Sequence, residues 1–188
     1  MRPAILTFAA SGAELATRLA ARFEGEVFHC GFNGEDAKLL LPRLFADGRP
    51  IIGICAAGIL IRLLAPHLSD KQTEPPVLAI SQDGAHIVPL LGGHHGANRL
   101  ARQIAEALGG SAALTTASDS KFLRGLDDPP PGWVLADPAA AKPAMMALLI
   151  GGKIALEGDA PWIAAAGYPV SYGGQVKVRV SDLAKRRY

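Results

Sequence analysis

His94 and His95 stand in a glycine-rich stretch, Gly92-Gly93-His94-His95-Gly96, that leads into Asn98 and an apolar-periodic segment. A histidine in such a loop, beside a helix N-terminus, can hydrogen-bond a ligand or move a proton near neutral pH; the plainer reading is a loop histidine in a turn. A structural metal lacks material, because adjacent side chains diverge and no third or fourth ligand follows at metal-ligand spacing. A second small-residue turn, Cys55-Ala56-Ala57-Gly58, ends an apolar run, with Arg62 one turn later and Asp70-Lys71 beyond Pro66. Glycine at 58, 92, 93 and 96 clears room beside the main chain, and the unpaired N–H groups of helix N-termini suit carboxylate or phosphate oxygens. Arg62 and Lys71 are then candidates to hold an acid group, against the reading of Arg62 as a solvated helix charge partnered by Asp70. Cys55 reads as a buried small hydrophobe rather than a nucleophile, since no base is assigned to it. In Thr115-Thr116-Ala117-Ser118-Asp119, Asp119 either faces a ligand or caps the next turn. No P-loop, G-x-G-x-x-G or G-x-S-x-G motif occurs, so a mononucleotide lacks support.

The elements that would hold these residues follow from periodicity. Residues 4–8 form an apolar run, then Ser11 and Glu14 have capping-box spacing ahead of a helical repeat at Leu15, Ala16, Leu19, Ala20 and Phe23. Strands are expected at 27–29 and 50–55, with a helix at 37–45 disturbed by Pro42 and another at 59–65 stopped by Pro66. Residues 77–80 and 86–90 flank Gln82-Asp83-Gly84 and read as a hairpin. Asn98 is the expected N-cap of a helix over 99–108, and 112–116 a further strand. Alternating strands and helices imply an α/β fold, a three-layer, mostly parallel sheet with helices on both faces and one hairpin, over residues 1–120. Asp127-Asp128-Pro129-Pro130-Pro131-Gly132 breaks regular structure, and 121–188 is expected to form a smaller α/β unit with a helix at 138–149 and strands at 153–156, 162–165 and 175–180.

Composition bounds the partners. The 188 residues carry 19 Lys and Arg against 17 Asp and Glu, a formal charge of +2, so there is no basic field for nucleic acid. The two cysteines, Cys30 and Cys55, supply neither a disulfide framework nor a thiolate zinc site. Apolar runs such as 51–60 fall short of a membrane span, and the first residues run into a strand pattern rather than a leader. A soluble, uncleaved, cytoplasmic chain is the expectation.

The residues from Gly53 to Ala101, reading GICAAGILIRLLAPHLSDKQTEPPV and then DGAHIVPLLGGHHGANRLA, resemble the N-terminal domain of the CbiG family of cobalamin biosynthesis, the cobalt-precorrin 5A hydrolases. Gly58, Ile59, Arg62, Ala65, Pro66, Asp70, Lys71, Pro75, Gly84, Pro89, Gly93, His94, Gly96 and Asn98 fall on that family's pattern, Thr115 to Asp119 look like its T-T-A-T-D, and a weaker likeness runs through residues 148–153. The chain departs from the pattern at Glu74, where Asp is usual, at Ser81, where an acid is usual, and in a glycine loop one residue shorter. The resemblance implies opening of the δ-lactone of a ring-contracted precorrin by water, with release of acetaldehyde. In that reading His94 is base or proton shuttle, and the Gly58 and Ile59 N–H groups are oxyanion donors. Arg62, Lys71 and Asn98 contact substrate carboxylates, with Gly93, Gly96 and Asp119 also lining the substrate. No cofactor is implied; cobalt, if present, comes with the precorrin or cobalt-precorrin substrate. Some relatives form the front part of a fusion with precorrin-3B C17-methyltransferase, so the competing expectation is a non-catalytic precorrin-binding module serving that enzyme, and a homodimer is a further expectation.

Overall fold

Three four-residue runs, AILT, IIGI and VLAI, are buried along their whole length, the pattern of parallel strands covered on both faces. The structure, a computed structural model, describes residues 1–31, 34–71, 73–116 and 121–181, and for His94 the backbone alone. It divides into two units, Met1–Leu114 and Thr115–Tyr188.

The first unit is a six-stranded sheet in the order β2-β1-β3-β4-β5-β6, from β1 (Ala4–Thr7), β2 (Glu26–His29), β3 (Ile51–Ile54), β4 (Val77–Ile80), β5 (His86–Leu91) and β6 (Ser111–Ala112). All neighbours are parallel except β4 and β5, where the Asp83-Gly84 turn reverses the chain. Gly84 takes φ 73°, and the Asp83 carboxylate accepts from the Ala85 N–H at 3.0 Å, the local closure expected of an Asx turn.

Helices α1 (Ala13–Phe23) and α4 (Ala97–Leu108) cover one face; α2 (Ala37–Ala46) and α3 (Ala57–Leu64) cover the other. The placement follows from handedness. A right-handed crossover between strands running one way lays its helix on one face, and between strands running the other way on the opposite face. So α3, joining β3 to β4, and α4, joining the reversed β5 to β6, lie on different faces although both step in the same direction across the sheet. On the α2/α3 face Leu40, Leu41, Leu44, Leu60 and Leu64 pack on Leu6, Ile51 and Val77. On the other, Leu15, Leu19, Ala101 and Ile104 pack on Ile5, Ile52, Ile54 and Leu78. Gly53 makes room for Leu60, whose methyls would stand 2.9 and 3.0 Å from a Cβ there.

Two helix caps and one strand differ from expectation. Ser11 does not cap α1; Gly12 is the N-cap without a side-chain bond, and the Ser11 hydroxyl donates to Gln82 Oε1 at 2.7 Å. Helix α4 starts before Asn98, from Gly96 at φ 86°. The strand expected at 112–116 is only Ser111–Ala112. Asp36 caps α2 by accepting from the Lys38 N–H at 2.9 Å, and α2 continues through Pro42.

The second unit pairs two parallel strands, β7 (Ile154–Glu157) and β8 (Val176–Arg179), with α5 (Pro138–Leu149) capped by Asp137, which accepts from the Ala139 and Ala140 N–H groups. The segment expected as a strand at 162–165 is instead a short helix, α6 (Pro161–Ala165): Pro161 sits in its first turn, where a missing N–H costs nothing. Its core holds Phe122, Met145, Leu148, Ile154, Ile163 and Tyr168; Phe122 stacks on Tyr168 at 4.2 Å, and the Tyr168 hydroxyl donates to the Arg124 carbonyl at 2.7 Å. An apolar groove of about 570 Å³ runs beside Trp133, Trp162 and β8.

Candidate functional site

Because β5 runs against β3 and β4, the sheet of the first unit has two rims that carry turns of interest. Register fixes which is which. Ile51 is level with Val77 and Val77 with Leu91, whereas Ile54 is level with Ile80 and Ile80 with Ile87. The turn after β3 (55–58) therefore lies on the upper rim, at the carboxyl ends of β1, β3 and β4. The turn after β5 (92–96) lies on the lower rim, at their amino ends. A four-residue strand separates the rims by about 10 Å at least.

On the upper rim, Cys55 is buried at the end of β3 and leads into α3. The Ile59 N–H donates to the Ala56 carbonyl at 2.9 Å, so one of the two expected oxyanion donors is already used in the helix's first turn. Arg62 is exposed and folds back along α3, Nη1 donating to the Gly58 carbonyl at 3.0 Å; it fills the space above Gly58, where a Cβ would come within 2.7 Å of that nitrogen. The Cys55 thiol is pushed up to about 11 by burial and then by Cys30 nearby. Cys30 is also pushed up to about 11, by burial and then by Glu35 and Asp36. Neither is a thiolate nucleophile at neutral pH.

On the lower rim the chain makes a tight double turn. Gly92 (φ 73°) and Gly96 (φ 86°) are both left-handed and flank the 3-10 turn Gly93–His95. The Gly92 carbonyl accepts from the His95 N–H at 2.9 Å and the Ala97 N–H at 3.1 Å. That leaves the turn closed and α4 starting at once behind it. Gly93 is exposed, a Cβ on it would touch nothing within 4 Å, and its N–H makes no backbone hydrogen bond among the described residues. An open N–H beside the positive end of a twelve-residue helix is a site for anionic oxygen.

The segment after α3 reaches the same rim. A turn in which Thr73 bonds back to the Asp70 carbonyl through both its N–H (2.9 Å) and its hydroxyl (3.0 Å) presents Lys71 to solvent. It continues through Glu74 into Pro75 and Pro76, and the Pro76 carbonyl accepts from the Ile51 N–H at 2.8 Å.

The structure thus brings Lys71, Gly93, the His94 backbone, Gly96 and Asn98 to one rim, and leaves Gly58, Ile59 and Arg62 on the other side of the strands. A single center using His94 with Gly58 and Ile59 is not what the topology builds. Asp119 lies outside the described residues, as does the side chain of His94. Two lower-rim residues were not among the candidate site residues, although Glu74 stands at an acidic position of the family pattern. Glu74 is 8% exposed, a burial that its neighbours Thr73 and Pro75 do not announce. The Arg99 guanidinium lies against Gly96, 2.6 Å from where a Cβ would stand; only the three-residue spacing hints at it. Among the described residues no group of three or more His, Cys, Asp or Glu is placed to hold a metal ion, and no helix is long and apolar enough to cross a membrane.

Comparison with known proteins points to one family. Residues 40–119, which include α3, the hairpin, the lower-rim turn and α4, match the family model described as cobalamin synthesis G N-terminal. The chain is 42% identical over 89 residues to a cobalt-precorrin-5A hydrolase of Priestia megaterium, covering 47% of this chain and 24% of the relative. It is 35% identical over 137 residues to the cobalt-precorrin-5A hydrolase of Salmonella typhimurium, covering 66% of this chain and 38% of the relative. A solved structure described as a cobalamin biosynthesis protein G homolog from Sulfolobus solfataricus shares 20% identity and a TM-score of 0.49, over 85% of this chain and 49% of that one. The matches span well under half the length of the two curated relatives. Residues 40–119 are thus similar to the N-terminal region of the cobalamin synthesis G proteins.

Proposed function

We propose that the chain serves cobalamin biosynthesis as a hydrolase, opening the δ-lactone of a ring-contracted precorrin on the lower rim of its first unit. The observation that carries this reading is that residues 40–119, which match the cobalamin synthesis G N-terminal model, contain the Asp70-Lys71 turn, the 92–96 turn and the start of α4.

The chemistry of the substrate class suits that rim. A precorrin bears several acetate and propionate arms, and carboxylates are held by open N–H groups at a helix start and by a nearby ammonium. Lys71 and the amino end of α4 anchor those arms, and Asn98 in the first turn of α4 adds a side-chain amide. The Gly93 N–H is the donor for the developing oxyanion, replacing the Gly58 and Ile59 donors that the topology puts elsewhere. His94 takes a proton from water; the water oxygen bonds to the lactone carbonyl carbon and the ring C–O bond breaks, giving an acid and an alcohol. Collapse of that alcohol to acetaldehyde breaks its C–C bond to the macrocycle, which takes up a proton.

The test is to mix the purified chain with the lactone intermediate and follow acetaldehyde and the ring-opened acid. Turnover supports the reading. Binding with no turnover makes the chain an accessory module that presents a precorrin to another enzyme, and no binding at all sinks it.

A further inference from the structure

The groove beside the two tryptophans of the second unit plays no part in the lactone reading. It measures about 570 Å³, a volume suited to a small organic ligand. One wall is α5, with the short side chains of Ala140, Ala141 and Ala144. Trp133 and Trp162, the two tryptophans of the chain, also line it and meet edge to face with ring centres 6.4 Å apart. Trp162 Nε1 is buried with no hydrogen-bond partner among the described residues, a state that native structures keep in few places.

The remaining wall is β8, and it is not apolar throughout. The unbroken run from Val176 to Ser181 lines the groove, and no residue of β7 does. Side chains alternate across a strand, so such a run on one strand alone places the groove along the edge of β8 turned away from β7. Val176 and Val180 donate their N–H groups to the Lys153 and Glu157 carbonyls on the β7 side. N–H groups alternate in direction along a strand, so those of Lys177 and Arg179 point the other way. With β7 as the sole neighbour of β8, both lack a backbone partner among the described residues. The Lys177 side chain is exposed beside them, whereas Arg179 is held by Glu157 at 2.7 Å. Asp137, the acid of the lining, accepts from the first turn of α5.

An apolar slot walled by indole rings and small residues, with open N–H groups and an ammonium along one side, is complementary to a flat apolar molecule that carries a negative group. We propose that this groove binds a small planar carboxylic acid. The body of the ligand lies against Trp133, Trp162 and the α5 alanines, and its carboxylate lies along β8, at the Lys177 ammonium and the open N–H groups.

The test is a titration of the purified, nitrogen-labelled chain with 2-naphthoate, followed by two-dimensional NMR, with the uncharged 2-naphthamide as control. Both indole cross-peaks and the Lys177 and Arg179 amides should shift saturably, and the amide probe should bind at least about threefold more weakly. Ala140→Leu, at an exposed position of the wall, fills the groove and should weaken 2-naphthoate at least about tenfold with Tm unchanged. Lys177→Ala, also at an exposed position, should weaken 2-naphthoate about threefold or more and leave 2-naphthamide within about twofold. Indole cross-peaks that do not saturate, or equal affinity for the two probes, would overturn the proposal. So would full binding by either variant. Indole cross-peaks that move when the unliganded chain is diluted would assign the groove to a second copy of the chain and overturn it as well.

Discussion

Gly92 and Pro75 touch backbone to backbone: a side chain on the glycine would run into the Pro75 carbonyl and the Pro76 nitrogen. This contact joins the end of β5 to the segment entering β4, and so fixes the 92–96 turn beside the 70–76 segment. Gly92→Ala combines that clash with a left-handed φ of 73°, and is expected to cost about 1–3 kcal/mol or more. Gly93→Ala, with ordinary φ and nothing within 4 Å, is expected to stay within about 0.5 kcal/mol. Urea denaturation of the two variants checks the contrast; equal losses would show that the contact does not hold the turn.

The two rims predict different fates for two cations. Lys71→Ala should weaken binding of a polycarboxylated tetrapyrrole several-fold, with the difference shrinking as salt screens the exposed ammonium. Arg62→Ala, whose guanidinium is folded onto Gly58 on the other rim, should leave the Kd within twofold. Titration by fluorescence at low and moderate ionic strength measures both, and a larger effect at Arg62 would relocate the site.

His94→Ala should leave the fold intact, by circular dichroism and Tm, and reduce lactone opening at least a hundredfold. Activity within a few-fold of the unmodified chain would remove His94 from proton transfer.

Gly53 and Leu60 are matched in size across the sheet and α3. Leu60→Ala is expected to cost about 2–5 kcal/mol through the cavity it leaves, and Gly53→Ala about 1–3 kcal/mol through overpacking. Since each change relieves the other, the double variant should lose less than the sum; strict additivity in denaturation would mean the two do not share that space.

The cysteines give a pH dependence of definite sign. Both thiols are held at about 11 in the folded chain, above the ordinary 9.0, so the folded state keeps protons that the unfolded state releases. The stabilisation is complete below about pH 9 and is lost as pH rises through 11, on the order of 1–2 kcal/mol for each thiol. Cys30 and Cys55 follow β2 and β3 on either side of β1, two strand spacings or about 9–10 Å apart, beyond disulfide reach. Replacing both with Ala should flatten the fall in urea midpoint between pH 8 and 10.5, and mild oxidant should leave the native chain unlinked.

The alternation of apolar runs and amphipathic helices was enough to read the sheet, the helices on both faces and the hairpin, because burial on two faces leaves a pattern in the chain itself. The ends of elements were harder. Ser11 and Asn98 have the chemistry of caps, yet Gly12 and Gly96 take those positions: Ser11 finds Gln82, 71 residues away, and Gly96 supplies the left-handed turn. Trp162 to Ala165 carry an apolar pattern too short to separate strand from helix. At the site, both glycine turns were visible, but their placement on opposite rims was not. Reversal at Asp83-Gly84 sends β5 back down the sheet, so a turn at the carboxyl end of every strand is not a turn on one rim. The burial of Glu74 depends on the fold around it and leaves no trace in periodicity.

Strand β8 shows how the second unit guards its open side. Its sheet has only two strands, and along β8 the exposed positions are Lys177 and Arg179, alternating with Val176 and Val178. Arg179 is held by Glu157 of β7 at 2.7 Å, and the Lys177 ammonium on the same strand face is the kind of exposed charge that makes pairing with a second chain along this strand costly.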